Sequence, residues 1–166
     1  MDPIKIALSV ASTAASAMSA VSQGNAQAAA FEYNAQINER NAVAADAASE
    51  QLYHTEKLKI EKFKKDFERL EAATTQGFRY NGWIAEGGTP LLVALANASE
   101  ADDEIAIRDF NARVGKQELE EEGVQQRMSA ELNNMYADQA RTAGMMRAGQ
   151  SLLSGGSNMY SIYKGY

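Results

Sequence analysis

The chain has 166 residues, a formal net charge of −6, 45% hydrophobic residues and only 8% aromatic ones. Much of the apolar content is alanine, which buries little area per residue, so an elongated helical chain that packs on partners fits better than one compact core. The acidic balance argues against general DNA coating, and the absence of cysteine removes disulfide frameworks and thiolate metal sites.

In chain order, residues 1–24 form an Ala/Ser-rich N-terminal helix. No charged residue occurs from Ile6 to Phe31. On a helix, Ser9, Ser12, Ser16, Ser19 and Gln23 make one stripe, and Ile6, Val10, Ala14, Ala17 and Val21 make the opposite one. The segment Ile4–Ser22 has about 19 residues, against roughly 20 needed to cross a bilayer, but few large apolar side chains. Three readings fit it: a small-residue helix packed inside an assembly, a segment that enters a membrane as an oligomer with helices in close approach, and a signal peptide ending near Ala15-Ser16-Ala17. The apolar stripe Ile6, Val10, Ala14, Ala17 and Val21 is the candidate membrane segment.

Residues 25–76 read as the first long helical arm, with a hinge near Gly24. Ile60, Phe63, Phe67 and Leu70 are spaced three, four and three apart, a coiled-coil-like seam. Glu61 with Lys65, Glu56 with Lys59 and Asp66 with Arg69 are placed to pair along a solvated face. The lysines from Lys57 to Lys65 are interleaved with Glu56, Glu61 and Asp66, so their charge is nearly cancelled and no sequence-specific nucleic-acid binding is expected.

Residues 77–90 are a glycine-rich bend. Four glycines and a proline fall within these fourteen residues. Gly87 and Gly88 tolerate positive φ, and Pro90 suits a first helical turn with Thr89 as its cap. Arg79, Tyr80 and Trp83 lie in the bend, where they are expected to meet a partner. Residues 91–147 read as the returning arm, with Phe110 and Val114 on its apolar seam. Gly115 and Gly123 bracket an acidic run from Glu118 to Glu122, and each mid-helix glycine costs about 1 kcal/mol against alanine, so a kink is expected near 115–123. Residues 148–166 are an uncharged Gly/Ser/Tyr tail up to Tyr163, with Gly155-Gly156 ending any helix. The expected fold class is all-α: an elongated helical hairpin of two long arms, oligomeric because so thin a hairpin has little interior of its own.

Catalytic chemistry is scarce. His54 is the sole histidine and there is no cysteine, so the usual zinc sites and a Cys-His pair are excluded. His54, in a polar helix beside Tyr53, reads as a surface side chain rather than a general base. The glycine pairs lack the Gly-Lys-Ser/Thr ending of a phosphate loop. No catalytic residue, cofactor site or metal site is expected, and the chain reads as non-enzymatic.

Four stretches stand out together: the Ala/Ser-rich start, the run Gly24-Asn25-Ala26-Gln27-Ala28, the bend Gly87-Gly88-Thr89-Pro90-Leu91-Leu92, and the ending Gly149-Gln150-Ser151-Leu152-Leu153-Ser154-Gly155-Gly156. In these the chain resembles the small internal virion proteins, also called ejection or core proteins, of short-tailed bacteriophages. The resemblance implies a protein packaged inside the capsid near the portal and ejected to help form a genome-delivery conduit through the host envelope. Its partners would be copies of itself, other virion proteins of the portal, tail or core, and the host membrane after ejection. The alternative is a fixed adaptor or sleeve of the portal or tail that stays on the particle. The chain is also similar to helical-hairpin bacterial secretion substrates in placing Trp83 at the turn, but Trp83-Ile84-Ala85 departs from their Trp-x-Gly pattern.

Overall fold

The computed structural model describes the backbone of residues 3–84 and 87–164, with side chains for 10–84, 87–157 and 160. Two long helices, α1 (Pro3–Tyr80) and α2 (Gly88–Lys164), pack against each other, and no strand occurs among the described residues. The helical hairpin is therefore as expected. Contacts divide the chain into two compact units, Met1–Ala42 with Gln125–Tyr166, and Val43–Val124.

In the first unit the buried line of α1 is Ala17, Gly24, Ala28, Ala35 and Ala42, and that of α2 is Ala130, Ala137, Gly144, Ala148 and Gly155. Steps of seven dominate both lines, with one step of four on each helix, from Gly24 to Ala28 and from Gly144 to Ala148. Both steps return to the same helix face. Every residue in these lines is Ala or Gly, so nothing props the two backbones apart. The tightest point is Gly24 on Gly144. A Cβ on Gly24 would lie 2.8 Å from the carbonyl oxygen of Ala140 and 2.9 Å from Cα of Gly144. Large groups sit on the flanks: the Phe31 and Tyr136 rings are 5.6 Å apart, and Arg141 pairs with Glu32 as well as with Asp138.

In the second unit the buried residues are Ala45, Ser49 and Ile60 on α1 and Pro90, Ala101, Ala112 and Gly123 on α2. Here Ser49 to Ile60, Ala101 to Ala112 and Ala112 to Gly123 are steps of eleven. A repeat of eleven matches 3.67 residues per turn, where seven matches 3.5. The Ser49 hydroxyl, buried in this line, donates to the carbonyl of Asp46 at 2.7 Å, which meets the need of a buried polar group for a partner. Two ion pairs join the helices beside Tyr53. Lys57 meets Asp109 and Lys116 meets Glu50, each at 2.5 Å. Both ammonium groups also lie over the Tyr53 ring, 5.4 and 5.2 Å from its centre, within reach of cation–π attraction.

The helix end expected at Gly155-Gly156 is absent, since α2 continues past it, and Gly24 in α1 and Gly115 and Gly123 in α2 also lie within continuous helix. The reason is packing. Gly24 touches Gly144, a Cβ on Gly115 would meet Leu52 at 3.0 Å, Gly123 is buried, and a Cβ on Gly155 would fall inside the Thr13 side chain. Gly24, Gly115 and Gly155 lose helix propensity and gain a close approach, and tertiary contact overrides the local preference. Along the solvated face, Lys59 pairs with Glu56 and Arg69 with Asp66 as expected, while the partner found for Glu61 is Lys64.

The seam gives two predictions. Gly24→Val should lower stability by about 1–3 kcal/mol through overpacking. Gly149→Ala should raise it by about 1 kcal/mol, because that helical position has nothing within 4 Å of an added Cβ. Thermal unfolding followed by circular dichroism measures both, and a Gly24→Val chain as stable as the parent would refute the close contact. A third prediction concerns acid. The hydrogen bond from Lys116 holds the Glu50 carboxyl below its ordinary 4.5, and that from Lys57 holds Asp109 below its ordinary 3.8. A lowered folded-state pKa stabilises the fold above the unfolded value, and the contribution disappears as pH falls through the folded value. The melting temperature should therefore drop once pH falls below about 4.5, and Glu50→Gln with Asp109→Asn should make that acid limb shallower.

Candidate functional site

The bend is built by the way α1 stops. Gly82 has φ 77°, a left-handed conformation that reverses the chain. The N–H of Gly82 donates to the carbonyl of Arg79 at 3.1 Å, and the N–H of Trp83 donates to that of Phe78 at 3.0 Å. This pair of bonds is a Schellman motif, which satisfies the last carbonyls of a helix. The carbonyl of Gly77 takes both the N–H of Asn81 at 3.2 Å and its side-chain Nδ2 at 2.9 Å. The described residues between the helices are thus 81–84 and 87, fewer than the expected 77–90, because Gly77 to Tyr80 remain in α1 and Gly88 to Pro90 belong to α2. On the other side, the N–H of Gly87 donates to Ile84 at 3.3 Å, and α2 begins at Gly88, whose φ is 64°. Of the expected pair Gly87 and Gly88, only Gly88 has positive φ, and Gly82 supplies the other left-handed residue. Thr89 and Pro90 are the second and third residues of α2, and Pro90 is buried.

The exposed tip carries apolar groups. Tyr80 is 92% exposed, Ile84 76% and Trp83 59%, and Arg79 is exposed beside them. Behind the tip lies a groove of about 610 Å³. Phe63, Phe67, Leu70 and Phe78 line it from α1, and Pro90, Ala94, Ala101 and Ile107 from α2, with Glu71, Glu100, Asp103 and Glu104 among its polar lining. Phe63 and Phe67 from the expected seam are half-buried here, with the Arg108 guanidinium 4.8 Å from the centre of the Phe63 ring. Phe110 is 65% exposed and Val114 36%, and neither lines this groove. The expected seam residues thus have different surroundings, Phe63 and Phe67 in the groove and Phe110 and Val114 outside it. Ala112 takes the buried place on that part of α2. The groove escapes sequence reasoning because it depends on which turn of α2 faces which turn of α1.

The candidate membrane stripe also divides. Val10 and Ala14 are exposed, whereas Ala17 is buried and Val21 half-buried. Ile6 lies in helical backbone, and its side chain is outside the described residues. Among the described residues no helix is long and apolar enough to cross a membrane. The chain matches no protein-family model, no curated protein and no solved structure. The geometry places an exposed aromatic tip beside an apolar groove with an acidic border, held by a turn that glycine makes possible.

That last dependence is testable. Gly82→Ala should cost about 1–2 kcal/mol, the penalty of a left-handed backbone with a Cβ, although a Cβ there would meet nothing within 4 Å. Equilibrium denaturation checks this, and an unchanged midpoint would show that the turn does not require the left-handed residue.

Proposed function

We propose that this chain is a non-enzymatic structural subunit of a bacteriophage particle, packaged internally near the portal and ejected to help form a conduit for the genome through the host envelope. One observation carries the assembly part of this reading. The helix pair uses mostly Ala and Gly for its buried residues, with Ser49, Ile60 and Pro90 the exceptions among the described residues, and leaves large apolar side chains outside, among them Leu58, Phe110, Met128, Met146 and Leu153 at 60–78% exposure. Extended apolar exposure marks sites of interaction with other molecules. A chain arranged in this way gains its full burial from neighbours, which fits copies of itself or other virion proteins. The location in a phage particle rests on the sequence resemblance of the N-terminal run, the bend and the ending. Exposure of Val10 and Ala14 leaves part of the uncharged N-terminal helix available to a membrane surface after release.

The test is a protein inventory of purified particles before and after triggered genome release, with protease protection in the full state. A chain that is protected in full particles and missing from emptied ones has been ejected. Retention at the same stoichiometry would replace ejection with a fixed adaptor or sleeve role on the portal or tail. Absence from the particles altogether would overturn the virion reading.

A further inference from the structure

We infer that the groove beside the bend is a docking site for a basic amphipathic helix of a different protein. The groove has the dimensions for this. Its α1 wall runs from Phe63 to Phe78, which at 1.5 Å per residue is about 22 Å, or four helical turns. Its floor is apolar, and it is open enough that Leu70 and Ile107, both in its lining, are 61% and 55% exposed. Helix-in-groove recognition uses anchors of this kind at successive turns.

Charge selects the occupant. Glu71, Glu100, Asp103 and Glu104 all belong to the lining. Glu104 is paired with Arg108 at 2.7 Å, while Glu71, Glu100 and Asp103 make no ion pair among the described residues. No lysine or arginine lines the groove. A helix with apolar anchors flanked by Lys or Arg would fill the floor and meet these three carboxylates, whereas an acidic segment would be repelled. The chain's own net charge of −6 and its uncharged stretches from Ile6 to Phe31 and from Ala148 to Tyr163 favour a foreign basic segment over a second copy. This inference goes beyond the virion reading and does not depend on it, since binding is measured on the isolated full chain.

The probe is a fluorescently labelled helical peptide of leucine and lysine with one apolar face, compared by anisotropy with its leucine–glutamate counterpart. The lysine peptide should bind and the glutamate peptide should not. Glu100→Lys with Asp103→Lys should weaken binding about tenfold or more, and added salt should weaken binding to the parent chain. Ile107→Asp, on the exposed lip, should weaken it as well. Glu121→Lys with Glu122→Lys, which changes the net charge equally on a helical stretch away from the groove, should leave affinity within about twofold. Equal losses in the two charge-reversed chains would mean diffuse attraction and overturn the proposal. So would an unchanged affinity in Ile107→Asp. Circular dichroism verifies the folding of each variant, and Glu100→Gln with Asp103→Gln provides the milder test, with the same direction of effect required.

Discussion

The close contact of two helices along a line of alanine and glycine is the constraint on which the rest of this molecule depends. Where Gly24 meets Gly144 there is no space for even one added carbon. Backbones at such range gain dispersion contacts along their length, and each residue on the line must be small for the next one to touch. This explains why glycines that would otherwise weaken a helix are found within long uninterrupted ones. It also fixes what the seam cannot contain: no Leu or Phe belongs to the buried line of the unit that holds the chain ends.

The large apolar residues are consequently distributed elsewhere. Some, such as Phe31 and Tyr136, flank the seam. Near the bend, Phe63, Phe67 and Phe78 stand on the facing side of α1 where α2 offers Pro90, Ala94 and Ala101, and a groove results. Many others are directed outward. The internal economy of the hairpin and its capacity for association are therefore two aspects of one arrangement, because side chains excluded from a narrow seam must find their burial against something else.

The all-α class and the location of the turn were legible in the sequence: long segments without proline, and four glycines with Pro90 clustered between 77 and 90. The seam was not, although its periodicity is present in the residue order. Ala28, Ala35, Ala42 and Ser49 recur every seven residues, as do Gly123, Ala130, Ala137 and Gly144. The repeat is hidden because Ala26, Ala29 and Ala30 surround it with the same residue, and because a search for helix faces favours large side chains such as Phe110 and Val114. The glycines misled for a related reason. Taken singly, Gly115 and Gly123 signal a kink and Gly155 a helix end, and only the opposing helix shows that Gly115 lies against Leu52 and Gly155 against Thr13. At the bend the pair Gly87-Gly88 drew attention, whereas Asn81-Gly82 followed by Trp83 carries the helix-ending signal.

The Ala/Gly line has a further consequence for how the unit that holds the chain ends identifies its own alignment. Away from the Gly24–Gly144 contact, where no added carbon fits, a run of alanines repeated every seven positions would look much the same after sliding by one repeat, so that part contains little positional information. A core of unlike shapes would reject such a slip by itself. Here the discrimination falls to the glycine contacts, Gly24 on Gly144 and Gly155 on Thr13, and to groups outside the line, the Glu32–Arg141 pair and the Phe31–Tyr136 ring contact. Cohesion is thus spread over the repeated alanines, while alignment is carried by a few glycines and a few distinctive groups along the margin.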